Sequence, residues 1–310
     1  MNRTKSRWAA APYLLWMVVF IVVPLILIGF FAFTTSASFD ADGNRLTQEE
    51  VSELTAQAEE EGVEPSEYFT TKTVFTLDNI FAVSDYLPVL FRSAWLALVA
   101  TAICLLIGYP LAYFMSRFTA SYQRLVTMLI MLPMWMNFLL RTYAWMTLLE
   151  KNGWINRLFG LVGMGPFEMI NTPGAVVLGM IYNYLPFMIL PLYSVMTKIE
   201  NNTIEAARDL GANTAKTFSR VILPLSMPGI ASGITMVFVP AVSTFIISRM
   251  LGGGTNMLIG DLIDLQFLGN AYNPNLGAAI SLVLMVFILL CMSITNQLDN
   301  ADDEMEAKML

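Results

Sequence analysis

Few residues of this chain are of a type that does chemistry, and their placement argues against covalent catalysis. Histidine is absent from all 310 residues, which removes the commonest metal ligand, general base and proton relay together. Cys104 and Cys291 each sit inside an apolar run, where a thiol acts as a small hydrophobe and no disulfide framework is expected. Gly211 to Thr217 imitates a phosphate-binding loop, yet Ala215 stands before Lys216-Thr217 and the segment is one residue too short. Backbone N–H groups cradle phosphate only with the full G-x-x-x-x-G-K-[ST] spacing. Gly252-Gly253-Gly254 has no lysine after it, so any ATP must be handled by another chain. Ion-coupled transporters keep carboxylates, lysines or histidines inside the bilayer; here no Asp, Glu, Lys or His lies near the middle of an apolar run. Arg141 is the one deep charge. It must face protein, water or a carboxylate, either as a structural ion pair or beside a solute path.

The elements that hold these residues are set by lipid. With 56% hydrophobic and 13% charged residues and a mean hydropathy of +0.61, the chain is far more apolar than a soluble domain of its length. Six runs are long enough to cross a bilayer as helices: Ala11 to Phe33, Val89 to Met115, Leu125 to Leu149, Ala175 to Met196, Met227 to Ile247 and Gly277 to Thr295. Pro110, Pro133, Pro186, Pro191 and Pro240 interrupt four of them, and such breaks are tolerated beside protein or a wet cavity. Gly229-x-x-x-Gly233 predicts close helix packing. The fold class expected is all-α, a polytopic membrane protein with six transmembrane helices.

Basic residues orient the runs. Placing the N-terminus inside gives the cytoplasm Arg3, Lys5, Arg7, Arg117, Arg124, Lys198, Arg208, Lys216, Arg220 and Lys308, and leaves Arg45, Lys72, Lys151, Arg157 and Arg249 outside. Both termini are then cytoplasmic. The first run exceeds the core of a signal peptide and reads as a retained anchor. The net charge of -7 comes mainly from the tail and from an outer loop that includes Asp40, Asp42, Glu49, Glu50, Glu53, Glu60, Glu61 and Glu64. In that loop Thr47 and Glu50 form a capping-box pattern, and Val51, Leu54 and Ala58 line one side of a short helix. It is either a solvated insertion or a negative field for a cation or a basic partner face.

A loop of about 30 residues, from Lys198 to Met227, separates runs four and five, long for neighbouring spans. Asn202 with Glu205 predicts a helix start, Gly211 a left-handed stop, Asn213 or Thr214 a second start, and Leu223-Pro224 its end. Ala206 and Ala207 leave a small-sided surface open to another protein. Glu205-Ala206-Ala207, three residues, Gly211, nine residues, then Val221-Ile222-Leu223-Pro224 resembles the EAA motif of ABC importer permeases, with Val221 where isoleucine is common.

Arg92-Ser93-Ala94-Trp95-Leu96-Ala97-Leu98, Gly108-Tyr109-Pro110-Leu111-Ala112-Tyr113, Leu140-Arg141-Thr142-Tyr143, Tyr184-Leu185-Pro186-Phe187-Met188 and Gly253 to Asp261 with Gln266-Phe267-Leu268 are similar to the B-type permeases of spermidine/putrescine importers. The acidic outer loop departs from that shorter pattern. The resemblance implies a type I ABC importer permease fold: an N-terminal end and first helix at 1–33, the acidic external loop at 34–88, a permease core at 89–297 with its coupling loop at 198–226, and an acidic cytoplasmic tail at 298–310. It implies a non-catalytic subunit in a bacterial inner (cytoplasmic) membrane. Its partners would be an ATPase dimer that uses ATP and Mg, a second related permease, an external or periplasmic polyamine-binding protein and membrane lipid. No cofactor is bound by the chain itself, no metal site is expected, and no nucleic acid is involved. Glu205, Ala206, Ala207, Gly211, Val221, Leu223 and Pro224 would couple to the ATPase. A polyamine is an extended polycation, so carboxylates and aromatic faces suit its path; Asp261, Asp264, Trp135, Arg141, Tyr143, Tyr182 and Tyr184 are the candidates, with Trp145 beside them. An importer of the same architecture for ferric ion or an anion, an ion-coupled secondary transporter and a membrane scaffold remain the alternatives.

Overall fold

The computed structural model describes residues 12–40, 42–64, 66, 68–269 and 272–309. Arg3, Lys5 and Arg7, on which the orientation partly rests, lie outside the described residues, as does Ala11 at the start of the first run. In chain order the elements used below are α1 (Pro12–Ala32), β1 (Thr34–Phe39), α2 (Gln48–Glu61), β2 (Thr70–Phe75), α3 (Leu87–Ser116), α4 (Ala120–Met131), α5 (Phe138–Leu149), α6 (Pro173–Met196) and α7 (Asn201–Asp209). They continue as α8 (Thr214–Leu225), α9 (Met227–Val242), α10 (Ile246–Leu251), α11 (Ile259–Leu268) and α12 (Pro274–Met309).

Among the described residues four helices are long and apolar enough to cross a membrane, and two bent pairs bring the number to six if each pair is one span. The fold is therefore helical and polytopic. Two of the expected runs are corrected. Leu125 to Leu149 is not one rod: Pro133 gives a 3-10 turn at Leu132–Trp135, and the chain turns by 90°. Asn137 then restarts the ladder, its side chain accepting the Leu139 and Leu140 N–H groups at 2.8 and 3.3 Å. The fifth run stops at Val242, short of Ile247, which belongs to the separate α10.

The chain forms two compact units, one of residues 1–86 and 263–285 and the other of 87–262 and 286–310. In the first, α1 is apolar on every side and exposed along nearly its whole length, the signature of a helix solvated by lipid. The acidic segment after it carries a feature its sequence did not announce. β1 and β2 pair antiparallel, with Thr34 opposite Phe75 and Phe39 opposite Thr70. Phe33 stacks on Phe75 with ring centroids 5.8 Å apart. Between the strands α2 begins with the expected capping box: the Thr47 N–H donates to Glu50 at 2.7 Å, and the Glu50 N–H to the Thr47 hydroxyl at 3.3 Å. The Thr47 backbone N–H, then its hydroxyl, holds the Glu50 carboxyl below its usual pKa. Ala58 is fully buried and Val51 and Leu54 half-buried on one side of α2.

In the second unit α3, α6 and α9 pack on one another. Lipid supplies no hydrophobic drive between helices, so close contact through small residues must hold them. A Cβ on Gly233 would stand 2.7 Å from Met188 Sδ, and one on Gly229 3.2 Å from the Pro191 carbonyl oxygen. The Gly229-x-x-x-Gly233 face is thus the seat of α9 on α6, as its spacing implied. Met180, Met188, Leu192 and Met196 of α6 are fully buried there, flexible side chains that fill an irregular seam. Cys104 and Cys291 are both free thiols.

Candidate functional site

The 198–226 loop folds as two short helices, as its local signals predict, but on a different register at its start. Helix α7 begins at Asn201 behind Glu200, which makes no side-chain cap bond. Asn202 and Glu205, expected to form a capping box, are instead both exposed within the helix. The reason lies in α3. Arg117, just past its C-terminus, donates to Asn201 Oδ1 at 2.6 Å and to the Ile199 carbonyl at 3.5 Å, fixing where the chain enters the helix. The same guanidinium lies over the Tyr113 ring at 5.4 Å. That entry angle turns Ile204 inward, where it joins Ile199 and Ile222 in a buried cluster with Tyr113 against it.

The end of α7 follows the sequence closely. Gly211 has φ +85°, the Gly211 N–H bonds the Arg208 carbonyl at 2.9 Å and the Ala212 N–H bonds that of Ala207 at 3.1 Å. This paired closure satisfies carbonyls that would otherwise be orphaned. Asn213 caps α8, its side chain accepting the Lys216 N–H at 2.9 Å. Helical bonding does not end at Leu223-Pro224 as expected. It passes through a π-helical turn at Phe218–Ile222 and continues to Leu225. The wider i→i−5 step accommodates the proline without unwinding the chain. The bend, 62° between α8 and α9, falls at Ser226. Ser226 donates to the Leu223 carbonyl at 2.9 Å, so the Tyr109 hydroxyl, 2.8 Å away, is the donor to it. Tyr109 also meets Phe218 edge to face at 5.6 Å.

These contacts fasten both helices to α3 and leave the opposite surface free. Glu205 and Ala206 are exposed, Ala207 is half-buried, and Leu210 is 90% exposed at the tip. Val221 and Leu223 are half-buried and Pro224 is exposed at the far end. An exposed helix surface that carries small Ala206 beside the charged Glu205, Arg208 and Asp209, on anchored helices, is suited to receive another protein. Arg117 and Tyr109 hold the candidate site in place, and sequence reasoning did not single them out. Arg117 was a topological charge and Tyr109 part of a resemblance, and only spatial neighbourhood shows what each holds.

Trp135 is exposed and lines an open groove of about 490 Å³ with Gln123, Arg124, Met128 and Tyr193. Tyr143 is exposed, and Tyr182 is half-buried with Trp145 edge-on at 5.3 Å. Tyr184 is buried and donates to the Pro240 carbonyl at 3.3 Å. Arg141 is 8% exposed, its guanidinium 5.8 Å from the Phe138 ring centroid. Asp264 is half-buried on α11.

Asp261 is 2% exposed and occupies the first turn of α11. Its Oδ2 accepts the Leu258 N–H at 2.9 Å, its Oδ1 lies 3.8 Å from Arg249 Nε, and Ser93 Oγ accepts the neighbouring Ile259 N–H at 2.8 Å. A carboxylate so engaged holds a helix start. Asp261→Asn retains an acceptor for Leu258 but no charge for Arg249. The variant complex is expected to melt at lower temperature than wild type while its half-saturating solute concentration stays the same; a change confined to solute affinity would place Asp261 on the path.

Residues 104–301 match the family described as binding-protein-dependent transport system inner membrane component. The chain is 42% identical over 219 residues to the spermidine/putrescine transport system permease protein PotB of Escherichia coli (strain K12), covering 69% of this chain and 79% of that one. It is 42% identical over 228 residues to PotB of Haemophilus influenzae, covering 71% and 79%. To the inner membrane ABC transporter permease protein YdcU of Escherichia coli it is 28% identical over 244 residues, covering 74% and 77%. Among solved structures, a chain of a bacterial ABC transporter involved in import of the acidic polysaccharide alginate superposes with a TM-score of 0.66 at 15% identity over 96% of both chains. A chain of the inward-facing MetNI methionine ABC transporter superposes with a TM-score of 0.52 at 18% identity, over 70% of this chain and 95% of that one. At such identities these two likenesses speak of the fold.

Proposed function

The chain belongs to the family of binding-protein-dependent transport inner membrane components, and from that premise we propose that it is one permease of an ATP-driven importer of spermidine and putrescine. The observation that carries the reading is the anchored helix pair α7–α8 inside the matched region, with Glu205, Ala206 and Leu210 exposed along it.

In this reading the 198–226 loop and both termini are cytoplasmic, and the β1–α2–β2 insertion is external. The loop docks on one subunit of an ATPase dimer that binds ATP and Mg, while this chain catalyses no reaction. Glu205 offers a charge-assisted contact to a basic residue of that subunit, and Ala206 and Ala207 allow close approach. When the dimer closes on nucleotide, Arg117, the isoleucine cluster and the Tyr109–Ser226 bond transmit the displacement of α7 and α8 into α3 and α9. Differential nucleotide binding of the two states supplies the work. A second related permease completes the path and a binding protein delivers the solute. Of the path candidates, Trp135 and Tyr143 are exposed and Tyr182 and Asp264 half-buried, and Asp261, Arg141 and Tyr184 are buried.

Reconstitution with an ATPase, a second permease and a binding protein tests the reading. Uptake of labelled spermidine is expected to require ATP, to be competed by putrescine but not by ferric ion or inorganic anions, and to survive proton and sodium ionophores. Uptake that follows an ion gradient without ATP would overturn the ATP-driven reading, and competition by ferric ion or an anion alone would replace the solute. The same assay on the chain lacking Asn44 to Glu64 reports whether the acidic insertion serves delivery; unchanged uptake would make it a solvated appendage.

A further inference from the structure

Arg124 is exposed on α4 and makes no ion pair among the described residues. No Asp or Glu stands between Asp85 and Glu150 in the sequence, so no neighbour along the chain offsets its charge. Its Nε donates to the Ala120 carbonyl at 3.2 Å, which draws the guanidinium back toward the start of the helix. Arg124 lines the open groove of about 490 Å³ that Trp135 also lines, with Thr127, Met128 and Met131 between them. These positions recur at the spacing of one helix face, and Tyr193 of α6 completes the lining. The polar end is fixed in place by Gln123. Its Nε2 donates to the Ser116 and Phe118 carbonyls at 3.2 and 3.0 Å, and its Oε1 accepts the Tyr193 hydroxyl at 3.2 Å.

The groove thus runs from a cation at one end to methionines and an indole at the other. Arg124 and Trp135 are eleven residues apart, about 16 Å along a helix, and one leaflet's share of the hydrocarbon core is about 15 Å. We infer that the groove seats one anionic phospholipid, its phosphate on Arg124 and one acyl chain along Thr127, Met128 and Met131 toward Trp135, in the leaflet at whose surface α4 begins. A guanidinium fork matches phosphate oxygens in pairs, and flexible methionine side chains fit an irregular chain. A polycationic solute is repelled by Arg124, and a small soluble anion would leave the apolar length of the groove unfilled. The assignment takes Trp135 off the solute path.

The test uses the complete complex, purified in mild detergent and stripped of lipid, as wild type, Arg124→Gln and Thr127→Phe. Dioleoyl phosphatidylglycerol and dioleoyl phosphatidylethanolamine are added singly, and bound lipid per complex is counted by native mass spectrometry. Wild type is expected to retain one phosphatidylglycerol per copy of this chain and about fivefold less phosphatidylethanolamine, the scale of one basic side chain at an anionic membrane surface. Arg124→Gln brings phosphatidylglycerol down to the level of the zwitterionic lipid. Thr127→Phe fills the groove without touching the charge and loses both lipids. Arg124→Gln changes an exposed side chain and keeps the test decisive should the bulkier variant fail to fold.

Equal retention of the two lipids by wild type, or an unchanged preference in Arg124→Gln, would overturn the inference. So would a complex that holds no lipid where the isolated chain holds one, since a second permease would then cover the groove. Release of the lipid by spermidine would assign the groove to the solute path instead, and a rise in melting temperature with inorganic phosphate equal to that with the lipid would reduce it to an ion site. Lipid counting requires no transport, so a failure of ATP-driven uptake would remove the function proposed above and leave this inference standing.

Discussion

Gly211→Pro is expected to leave the chain inserted and assembled while reducing transport-coupled ATP hydrolysis to the uncoupled background. Gly211 sits at φ +85°, and proline holds φ near −65°. The substitution also deletes the N–H that bonds the Arg208 carbonyl at 2.9 Å. The closure between Ala212 and Ala207 cannot then form on the same path, and α7 loses its fixed angle to α8. Space is not at issue, because nothing lies within 4 Å of a Cβ added there. Gly211→Ala is therefore the control: it keeps both hydrogen bonds and bears only the left-handed strain of about 1–2 kcal/mol. Proteoliposomes containing the full complex, assayed for ATPase activity with and without solute-loaded binding protein, separate the two. A Gly211→Pro complex that still answers to the loaded binding protein would mean that the α7–α8 angle does not carry the signal.

The second large effect is on stability. A Cβ on Gly260 would lie 2.4 Å from the Ser243 carbonyl oxygen and 2.7 Å from that of Thr244. Both are backbone atoms in the break between α9 and α10, so neither can swing aside as a side chain would. The methyl group of Gly260→Ala must push apart the start of α11 and the end of α9. That displacement also pulls on the Ser93–Ile259 and Asp261–Leu258 bonds. A loss of about 3 kcal/mol or more follows, at the upper end of overpacking effects. The expected result is little folded protein recovered from membranes and a sharply lowered melting temperature in detergent. Gly160→Ala is the matched control, since nothing lies within 4 Å of a Cβ there, and in the helix Trp154–Leu161 alanine is the better helix former. Equal yields for the two variants would show that the α9–α10 break yields more readily than its backbone contacts imply.

Each part of the 198–226 loop was legible to the degree that its determinants are local. Gly211 stops a helix and Asn213 starts one because each acts on backbone groups within a few residues, and both do so here. The Thr47–Glu50 box is legible for the same reason. Asn202 has the residue type of a cap but lies within the helix, because Arg117, 84 residues from Asn201, sets the entry of α7. Pro133 marks a break, but its 90° angle depends on how α4 and α5 pack. Asp261 and Asp264 share a spacing that suggests a common task. Burial separates them, since Asp261 holds the start of α11 while Asp264 keeps partial exposure.

The linear chain by itself determined that lipid is the main solvent, that the fold is a set of apolar helices, and which loop carries the family's contact pattern. Hydropathy summed over some 20 residues and hydrogen bonds between near neighbours are properties of a segment alone. Tertiary structure alone decided that Arg117, Tyr109 and three isoleucines moor that loop, and that Arg141 Nε and Nη1 are buried with no acceptor among the described residues. Those outcomes depend on which groups meet after helices far apart in sequence have packed, and no local pattern encodes the distance between two such groups.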